Sequence, residues 1–276
     1  MKVAICALAK GENAYIGDWV SHHVSIGYTD IYLYDNNQLS DAFVGDFIPA
    51  HLRPKVHIID IRTDQERMRY NMVPHQCQLY TEFIAKHCHE WDWCTFIDID
   101  EYVVTPDIGR LLSSMPDECN FMVLNWLMYS DGDELDGDEC VPVRQRLTQL
   151  SAKDGYANRV VKSTVRGGNP LIKAATPHSF WFGTRGDSVY YNCYGQIVST
   201  TPLGSVTDVP CHAEHYIAHY PTKTLGEFLR HKAPRLEGRF CSPQLIKYYF
   251  FRTNRRTPEK ERMIDEYCRA NGIKNY

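Results

Sequence analysis

The sequence lacks several features that define whole classes of protein. No apolar run approaches the ~18 residues that a membrane-spanning helix needs, and no segment is repetitive or low in complexity. Cysteines number ten among 276 residues, well below the ~8–10% of a disulfide scaffold. No two of them have the C-x-x-C spacing of zinc ribbons and thioredoxin-like redox sites. These absences argue against a membrane-spanning, fibrous, disulfide-dependent or zinc-ribbon protein.

What is present is the composition of an ordinary soluble globular protein, with 43% hydrophobic and 23% charged residues. The length suits one large α/β domain, or such a domain with a short appendage. Most cysteines lie in apolar stretches, and we interpret these thiols, for example Cys6, Cys94 and Cys193, as small core residues. Charged residues follow the first apolar run, where a signal peptide would need a small-residue cleavage site. We therefore expect the protein in the cytoplasm.

Charge is distributed unevenly along the chain. Residues 223–276 hold 13 Lys or Arg against 6 Asp or Glu, whereas the first 222 residues hold 17 against 28. A basic tail of this kind can bind an anionic partner such as a membrane surface, which would place the protein peripherally on the inner face of the membrane. Alternatively, its cations neutralise the acidic body of the same chain. Nucleic acid is not an expected partner, because no aromatic-interleaved basic motif occurs.

Short apolar runs and amphipathic stretches alternate through the N-terminal half. This pattern predicts an α/β fold with a mainly parallel central sheet flanked by helices, in which ligands bind at the carboxyl ends of the strands. Helices are predicted over residues 14–26, with Asn13 as the N-cap, and over residues 75–89. The predicted strands are Val3–Leu8, Ile31–Tyr34, Val56–Ile61, Trp93–Ile97, Phe121–Leu124, Arg159–Val165 and His215–Tyr220.

The C-terminal region contains several signals for helix starts. Thr224 and Glu227 have the spacing of a capping box. Ser242-Pro243 and Thr257-Pro258 each place a cap residue before a proline at the first helical position. We therefore divide the chain into one domain over residues 1–221 and a basic helical extension over residues 222–276.

A run of three carboxylates at the end of a predicted strand is the sharpest candidate for a functional site. The segment Thr95–Tyr102 reads T-F-I-D-I-D-E-Y. Carboxylates are costly to bury unless they are paired or ligated, so this cluster implies a compensating cation. Asp98 and Asp100 lie at i and i+2 of an extended segment and therefore point the same way, towards one ion. Such oxygen ligands suit Mg²⁺ or Mn²⁺ bridging phosphate oxygens; the alternative is a strand that simply enters an acidic loop.

Several motifs together resemble the bacterial family-2-like glycosyltransferases, which have the GT-A fold and use a nucleotide-diphosphate sugar. Residues 9–20 and 30–37 are similar to the opening of that family, and residues 96–102 match its F-I-D-I-D-E-F segment almost letter for letter. The similarity runs from about residue 3 to residue 236. Within the family, the chain most resembles the bacterial polysaccharide and lipopolysaccharide transferases. Further matches follow the family's order at Asn125-Trp126, Tyr129-Ser130-Asp131, Val161-Lys162-Ser163, Arg166-Gly167, Pro177-His178, residues 217–224 and Lys232.

The resemblance implies roles around a nucleotide sugar for the N-terminal matches. Asp100 would ligate Mn²⁺ or Mg²⁺ directly, and Asp98 would contact the ribose or the ion. Asp35 would face the base, and a UDP-sugar is favoured because a carboxylate can accept from a uracil N–H. Lys10 and Glu12 would also bind the nucleotide sugar, although the family has Lys-Asn-Glu where this chain reads K-G-E-N.

The resemblance also implies a third metal ligand and a general base. His219 is the candidate ligand and His215 its competitor, while a hydrogen-bonded structural histidine is the alternative among 12 histidines. Transfer with inversion requires a base that deprotonates the acceptor hydroxyl. Asp131 is the candidate because it follows a buried strand in the segment that resembles the acceptor side. Asp133 and Glu134 are its alternatives.

Basic and aromatic residues in the second half supply further candidates. Lys162 and Arg166 lie next to a glycine pair and are predicted to hold the diphosphate, with a basic strand edge as the alternative. Trp126, Tyr129 and His178 are predicted to bind the acceptor. Aromatic faces stack on sugar rings, although such residues more often belong to the core.

The sequence therefore predicts a metal-dependent glycosyltransferase of the hexosyltransferase type, acting from a UDP-sugar on a glycan or lipid-linked glycan with inversion. The tail cations Lys223, Lys232 and Arg235 would then bind a lipid-diphosphate-linked acceptor at the membrane. One alternative is a non-catalytic sugar- or nucleotide-binding protein, or an inactive transferase-like one. The other is a haloacid-dehalogenase-type phosphatase, which carries its D-x-D on the first strand and has Thr or Val where this chain has Tyr102.

Overall fold

Residues 1–63, 75–151, 155–183, 188–236 and 242–273 are described by the structure, a computed structural model. The chain divides into two units: the first comprises Met1–Leu127 and Tyr156–Ala218, and the second comprises Met128–Gly155 and His219–Tyr276. The sequence analysis placed the boundary at residue 221 and assigned only the tail, residues 222–276, to a separate region. In the structure, residues 128–155 belong to the same unit as the tail.

In the described part of the chain, ten strands form one sheet that is built on the first unit. The strands are β1 (Val3–Ala9), β2 (Asp30–Asp35), β3 (Val56–Asp60), β4 (Trp93–Phe96), β5 (Glu101–Val104), β6 (Phe121–Met128), β7 (Val161–Arg166), β8 (Ile172–Thr176), β9 (Ser179–Phe182), β10 (Tyr190–Tyr191), β11 (Ile197–Val198) and β12 (Tyr216–His219). Strand β1 pairs in parallel with β2 and β4, β2 pairs in parallel with β3, and β7 pairs antiparallel with β4 and β6. The strand order is β11-β10-β6-β7-β4-β1-β2-β3, with β12 pairing β5 and β6, while β8 and β9 form a separate antiparallel pair.

The helices of the first unit are α1 (Asn13–Ser25), α2 (His75–His87) and α3 (Ile108–Ser113), with 3₁₀ turns at Val44–Phe47, Arg53–Lys55 and Ala157–Arg159. The predicted fold class, α/β with a mainly parallel central sheet and helices, is confirmed. The apolar run of β1 is buried along almost its whole length, as expected of a parallel strand covered on both faces. The prediction that Asn13 caps α1 is wrong, because Glu12 occupies the N-cap position and the Asn13 side chain donates to Ala42 O.

The parallel register brings three strand ends to one edge of the sheet. The last residue of β1 lies level with Asp35, the last residue of β2. Cys6 of β1 lies level with Phe96, the last residue of β4. Lys10, Asp35 and the turn that starts near Asp98 therefore meet at the carboxyl edge, where the sequence analysis expects the ligand.

The second unit is helical and has its own apolar core. Its helices are α4 (Val143–Arg146), α5 (Leu225–Glu227), a π-helical turn (Phe228–Lys232), α6 (Ala233–Leu236), α7 (Pro243–Phe251) and α8 (Pro258–Ala270). The predicted capping box of Thr224 and Glu227 is confirmed, as are the Ser242 and Thr257 caps. Eight buried residues from the tail form the core, to which Leu135 adds a partly buried side chain. Leu135 lies in the acidic segment, residues 131–139, which carries six carboxylates. Among the described residues, none of the helices has the length and apolar character needed to cross a bilayer.

Candidate functional site

A tight turn after β4 places three carboxylates together at the carboxyl edge of the sheet. The backbone N–H of Glu101 donates to Asp98 O at 3.1 Å. In return, the backbone N–H of Asp98 donates to Glu101 Oε2 at 2.9 Å. These reciprocal bonds close a four-residue turn that contains Asp98, Asp100 and Glu101. A carboxylate oxygen of Asp100 lies within 4.8 Å of one of Glu101.

Two side chains from other elements hold the Asp98 carboxylate in position. Lys162 of β7 donates from Nζ to Asp98 Oδ2 at 2.7 Å, and its Nζ also lies 3.5 Å from Glu101 Oε2. Gln76 of α2 donates from Nε2 to Asp98 Oδ1 at 2.6 Å. The Lys162 side chain is 0% exposed, whereas the Asp98 side chain is 36% exposed. Lys162 therefore contacts Asp98 from the protein interior. The predicted direct contact of Lys162 with a diphosphate stays a prediction.

The charges in this turn shift one another's pKa values. Burial raises the pKa of Asp98, but the Lys162 ammonium and its hydrogen bond outweigh this effect and hold the pKa below its ordinary value. Burial likewise lowers the pKa of Lys162, yet the attraction of Asp98 and Glu101 keeps it above its ordinary value. Burial dominates at Glu101, where it raises the pKa to about 8. These shifts favour an ion pair between Asp98 and Lys162 and a protonated Glu101.

The carboxylate turn fits a divalent cation. The Asp100 side chain is buried, and Glu101 Oε1 is buried with no hydrogen-bond partner among the described residues. Carboxylate oxygens are hard ligands, the type that Mg²⁺ and Mn²⁺ take in proteins. A buried carboxyl oxygen without a hydrogen-bond partner is costly, so a cation that replaced the Glu101 proton would relieve that cost.

Asp35 lies at the same edge, and each of its carboxylate oxygens accepts a hydrogen bond from the protein backbone. Its Oδ1 accepts from the backbone N–H of Asn37 at 3.1 Å, and its Oδ2 accepts from that of Val44 at 3.0 Å. Arg62 Nε lies 3.7 Å from Oδ2. Asp35 thus shapes the loop that follows β2, and its predicted contact with a nucleotide base stays a prediction.

Lys10 and Glu12 frame the loop between β1 and α1. Lys10 follows the last residue of β1 and is half-buried, and Glu12 is the buried N-cap residue of α1. Gly11 between them adopts a positive φ of 64° and donates its backbone N–H to Asn37 Oδ1 at 2.7 Å. The structure therefore joins this loop to the loop after β2 at the carboxyl edge.

Arg166 is not brought to this edge. Strand β7 runs antiparallel to β4 and pairs Arg166 with Trp93, the first residue of β4, whereas Asp98 follows the last one. The Arg166 guanidinium donates to two backbone carbonyl oxygens at 2.7 and 2.9 Å and lies 4.4 Å from the centroid of the Trp93 ring. Lys162 and Arg166 are four residues apart on one strand, which separates them by ~13 Å. The structure thus gives these two predicted diphosphate ligands different surroundings.

Two of the three predicted acceptor residues do come together beside Lys162. The rings of Trp126 and His178 meet edge to face with centroids 5.2 Å apart. His178 Nδ1 donates to Val161 O at 3.0 Å, which fixes the orientation of the imidazole. Lys162 Nζ lies within 3.3 Å of Pro177 O, so the carboxylate turn and this aromatic pair adjoin each other in the first unit.

Two other predicted residues, Tyr129 and His219, belong to the second unit. Tyr129 stacks on Tyr220 with ring centroids 4.7 Å apart, and its backbone N–H donates to His219 O at 3.0 Å. The buried side chain of His219 ends β12, and its role as a metal ligand stays a prediction. Its competitor His215 belongs to the first unit, where Nδ1 lies 2.9 Å from Thr105 Oγ1.

Asp131, the predicted general base, lies in a buried ion pair. Its Oδ2 is 2.6 Å from Lys260 Nζ, and its side chain is 1% exposed. Burial raises the pKa of Asp131, an effect that the Lys260 ammonium opposes. The backbone N–H of Asp131 donates to Asn254 Oδ1 at 2.7 Å. Asp131 thus anchors the acidic segment to α8, and its role as a base stays a prediction.

The acidic segment and the basic tail neutralise each other within the second unit. Arg230 donates to Asp136 at 2.7 and 2.9 Å and to Glu139 at 2.7 and 3.0 Å. The Arg230 pairs partly balance the uneven charge of the sequence inside the chain, which is the second of the two interpretations given above. Arg146 and Glu227 also form a bidentate pair, at 2.7 and 3.1 Å, but there the body supplies the cation and the tail the carboxylate.

Sequence reasoning did not assign Gln76, Glu101 or Lys260 to any role. Gln76 lies 22 residues from Asp98 in the chain, and no local signal connects the two. Glu101 was visible as the third carboxylate of its run. Lys260 had a recognisable signal, because it shares the buried face of α8 with Ile264 and Cys268 at i, i+4 and i+8.

Comparison with known proteins gives structural similarity without sequence similarity. No family model matches the sequence, and no curated protein matches it. The bifunctional glycosyltransferase WbbM matches 45% of this chain and 23% of its own, with 15% identity and a TM-score of 0.31. TarS of S. aureus matches 90% of this chain and 42% of its own, with 12% identity and a TM-score of 0.37.

The galactosyltransferase LgtC, solved in complex with donor and acceptor sugar analogues, is also similar. It matches 59% of this chain and 57% of its own, with 15% identity and a TM-score of 0.25. The chain spans less than two thirds of the length of each of these three structures.

Proposed function

We propose that this protein is a metal-dependent glycosyltransferase that moves a sugar from a nucleotide-diphosphate donor, a UDP-sugar, to a glycan or glycolipid acceptor. The observation that carries the proposal is the turn from Asp98 to Glu101, where three carboxylates meet a buried lysine at the carboxyl edge of a mainly parallel sheet. A site of this kind binds a hard cation, and a hard cation binds diphosphate.

The chemistry of the transfer explains the need for that cation. Breaking the bond between the sugar and the diphosphate leaves negative charge on the diphosphate, and a divalent ion held by Asp98 and Asp100 would neutralise that charge as a Lewis acid. Gln76 and Lys162 each donate a hydrogen bond to one oxygen of the Asp98 carboxylate and thereby fix its orientation. They act as positioning residues, because a ligand held in advance loses less freedom on binding.

The acceptor side is supported by the Trp126 and His178 pair. An aromatic face beside a fixed imidazole suits the apolar face of a sugar ring and one of its hydroxyl groups. The pair adjoins Lys162 through Pro177 O, so an acceptor bound there would lie near the carboxylate turn. Transfer with inversion then requires a base, for which Asp131 is the candidate carried over from the sequence.

Calorimetric titration with uridine diphosphate, in Mn²⁺ and in EDTA, tests the donor site. Wild-type protein should bind only with Mn²⁺, and Asp100→Asn should weaken binding by ~100-fold, because an amide replaces an ionic ligand. Asp136→Asn is the matched control, since Asp136 is an exposed carboxylate paired with Arg230 in the second unit. It should bind like the wild type.

The other outcomes separate the parts of the proposal. Equal affinity in EDTA, or in Asp100→Asn, would contradict the metal-dependent site. Metal-dependent binding of guanosine or adenosine diphosphate instead would correct only the base. Failure of every nucleotide diphosphate to bind would overturn the proposed function, and binding without turnover of any nucleotide sugar would favour the non-catalytic alternative.

A further inference from the structure

Two cysteines of the first unit lie in contact. The Sγ atoms of Cys193 and Cys211 are 3.5 Å apart, although the residues are 18 positions apart in the chain. Cys193 follows β10 and is buried, whereas Cys211 is half-buried in the irregular segment before β12. The thiols are free, and their separation is close to sulfur–sulfur contact, so only a small movement separates them from the ~2.05 Å of a disulfide bond.

The two sulfurs differ in their access to solvent. Cys211 lines an open cavity of about 450 Å³ together with Asn192, Tyr194 and Pro210. Burial, and the hydrogen bond with Cys211, raise the pKa of the Cys193 thiol to about 12. A small oxidant therefore reaches Cys211 first, and Cys193 lies behind it as a protonated thiol.

We propose that Cys193 and Cys211 form a redox-active pair that hydrogen peroxide converts into an intramolecular disulfide. The Cys211 thiol gives up its proton to water, and the resulting thiolate attacks one peroxide oxygen. This gives a sulfenic acid and releases hydroxide, which takes up that proton as water. The Cys193 sulfur then attacks the Cys211 sulfur, and the sulfenic oxygen leaves as water with the Cys193 proton. Two thiols and one peroxide thus give one disulfide and two waters, and the contact between the sulfurs replaces a diffusional encounter in the second step.

The cross-link would fasten a segment that supports Trp126. The backbone N–H of Cys211 donates to Asn125 Oδ1 at 3.0 Å, and His212 Nε2 donates to Trp126 O at 2.7 Å. A disulfide would tie these contacts to the turn that holds Cys193, in which Gly195 donates to Asn192 O at 3.0 Å. The oxidised protein should therefore exchange the backbone amides of residues 208–212 more slowly than the reduced protein.

Peptide mapping of the full chain tests the proposal without any substrate. Reduced protein is treated with hydrogen peroxide, the remaining thiols are blocked with N-ethylmaleimide, and the chain is digested without reductant. The expected product joins the Cys193 and Cys211 peptides, weighs two hydrogens less than their sum, and disappears on treatment with dithiothreitol. Cys140, which is exposed, reports that the oxidant reached the protein.

Two results would overturn the redox pair, and a third would overturn only the fastening of the segment. The first is oxidation of Cys140 with Cys193 and Cys211 both recovered as alkylated thiols. The second is recovery of Cys211 only as sulfinic or sulfonic acid. The third is a cross-link that leaves amide exchange over residues 208–212 unchanged, which would refute the fastening. Cys193→Ser should leave a Cys211 sulfenic acid that dimedone traps; if that variant does not fold, the wild-type mapping decides alone.

Discussion

Lys162 in the first unit and Lys260 in the second are both buried among carboxylates, with side chains 0% and 2% exposed. Their surroundings nevertheless differ in how charge is balanced. Lys260 lies 2.6 Å from Asp131 and 3.1 Å from Asp133, and Arg255 adds a second cation at 3.6 Å from Asp133. In that cluster, two cations meet two carboxylates.

The cluster around Lys162 holds more carboxylates than cations. One ammonium faces Asp98 and Glu101, and Asp100 adds to the negative potential. Burial raises the pKa of Glu101 to about 8, so a proton, rather than a second ion pair, offsets part of the excess negative charge. A cluster balanced by its own side chains stabilises a fold, whereas one that retains a proton is suited to exchange it for a ligand cation.

Replacing the buried lysines gives the largest expected difference between the clusters. Lys260→Met leaves the carboxylate of Asp131, 1% exposed, without its cation. Breaking a buried pair in this way costs ~3–5 kcal/mol of unfolding free energy, which urea denaturation will measure. Binding of uridine diphosphate by the folded variant should equal that of the wild type. A loss below ~1 kcal/mol would contradict the role assigned to the pair.

Lys162→Met is the matched variant in the first unit. Asp98 is 36% exposed, so water can solvate the carboxylate that loses its partner, and the loss of stability should be only ~1–2 kcal/mol. The affinity for uridine diphosphate with Mn²⁺ should instead fall by ~10-fold or more, because Asp98 is no longer held. Unchanged affinity in Lys162→Met, or an equal loss in Lys260→Met, would remove the distinction between the two clusters.

A smaller effect is expected from acid, and it belongs to the second unit. The pKa of Glu227 is lowered to about 2, since the hydrogen bonds and charge of Arg146 and the bond from Thr224 outweigh the opposing effect of burial. A lowered folded-state pKa stabilises the fold above the ordinary value of 4.5, and this stabilisation is lost as the pH falls from about 4.5 to about 2. Glu227→Gln should remove about 2 kcal/mol of that dependence, as measured by urea denaturation across this range. A curve with the wild-type slope would contradict the assignment.

Much of the fold could be predicted from local sequence patterns. The alternation of apolar runs located β1 to β4, and residue types before prolines located the starts of α7 and α8. The cap of α1 was missed because Asn13 is itself the first helical residue and its side chain donates to Ala42 O. Local patterns predict that an element exists better than they predict where it begins.

The candidate site could be predicted only where its residues are neighbours in the chain. Asp98, Asp100 and Glu101 form one visible run, but the partners of Asp98 come from α2 and β7. Arg166 was expected beside Lys162, but it lies at the opposite end of β7, away from the carboxyl edge of the sheet. A contiguous motif does not reveal how far a strand carries its residues apart. The grouping of residues 128–155 with the tail was missed for the same reason, since Asp131 and Asn254 are 123 residues apart.

The smallest expected effect separates buried from exposed pairs within the acidic segment itself. Arg230 makes four hydrogen bonds to Asp136 and Glu139, yet its side chain is 44% exposed. Exposed pairs contribute little, because water screens the attraction and two long side chains lose freedom, so Arg230→Gln should cost only ~0.5–1 kcal/mol. Raising the salt concentration to about 1 M shortens the screening length to ~3 Å and should erase that difference, whereas the loss in Lys260→Met should persist. Urea denaturation of both variants at low and high salt makes the measurement. A salt-resistant loss of stability in Arg230→Gln would mean that the exposed Arg230 pairs behave like the buried pair of Lys260 and Asp131. Exposure would then not determine how much an ion pair stabilises this unit.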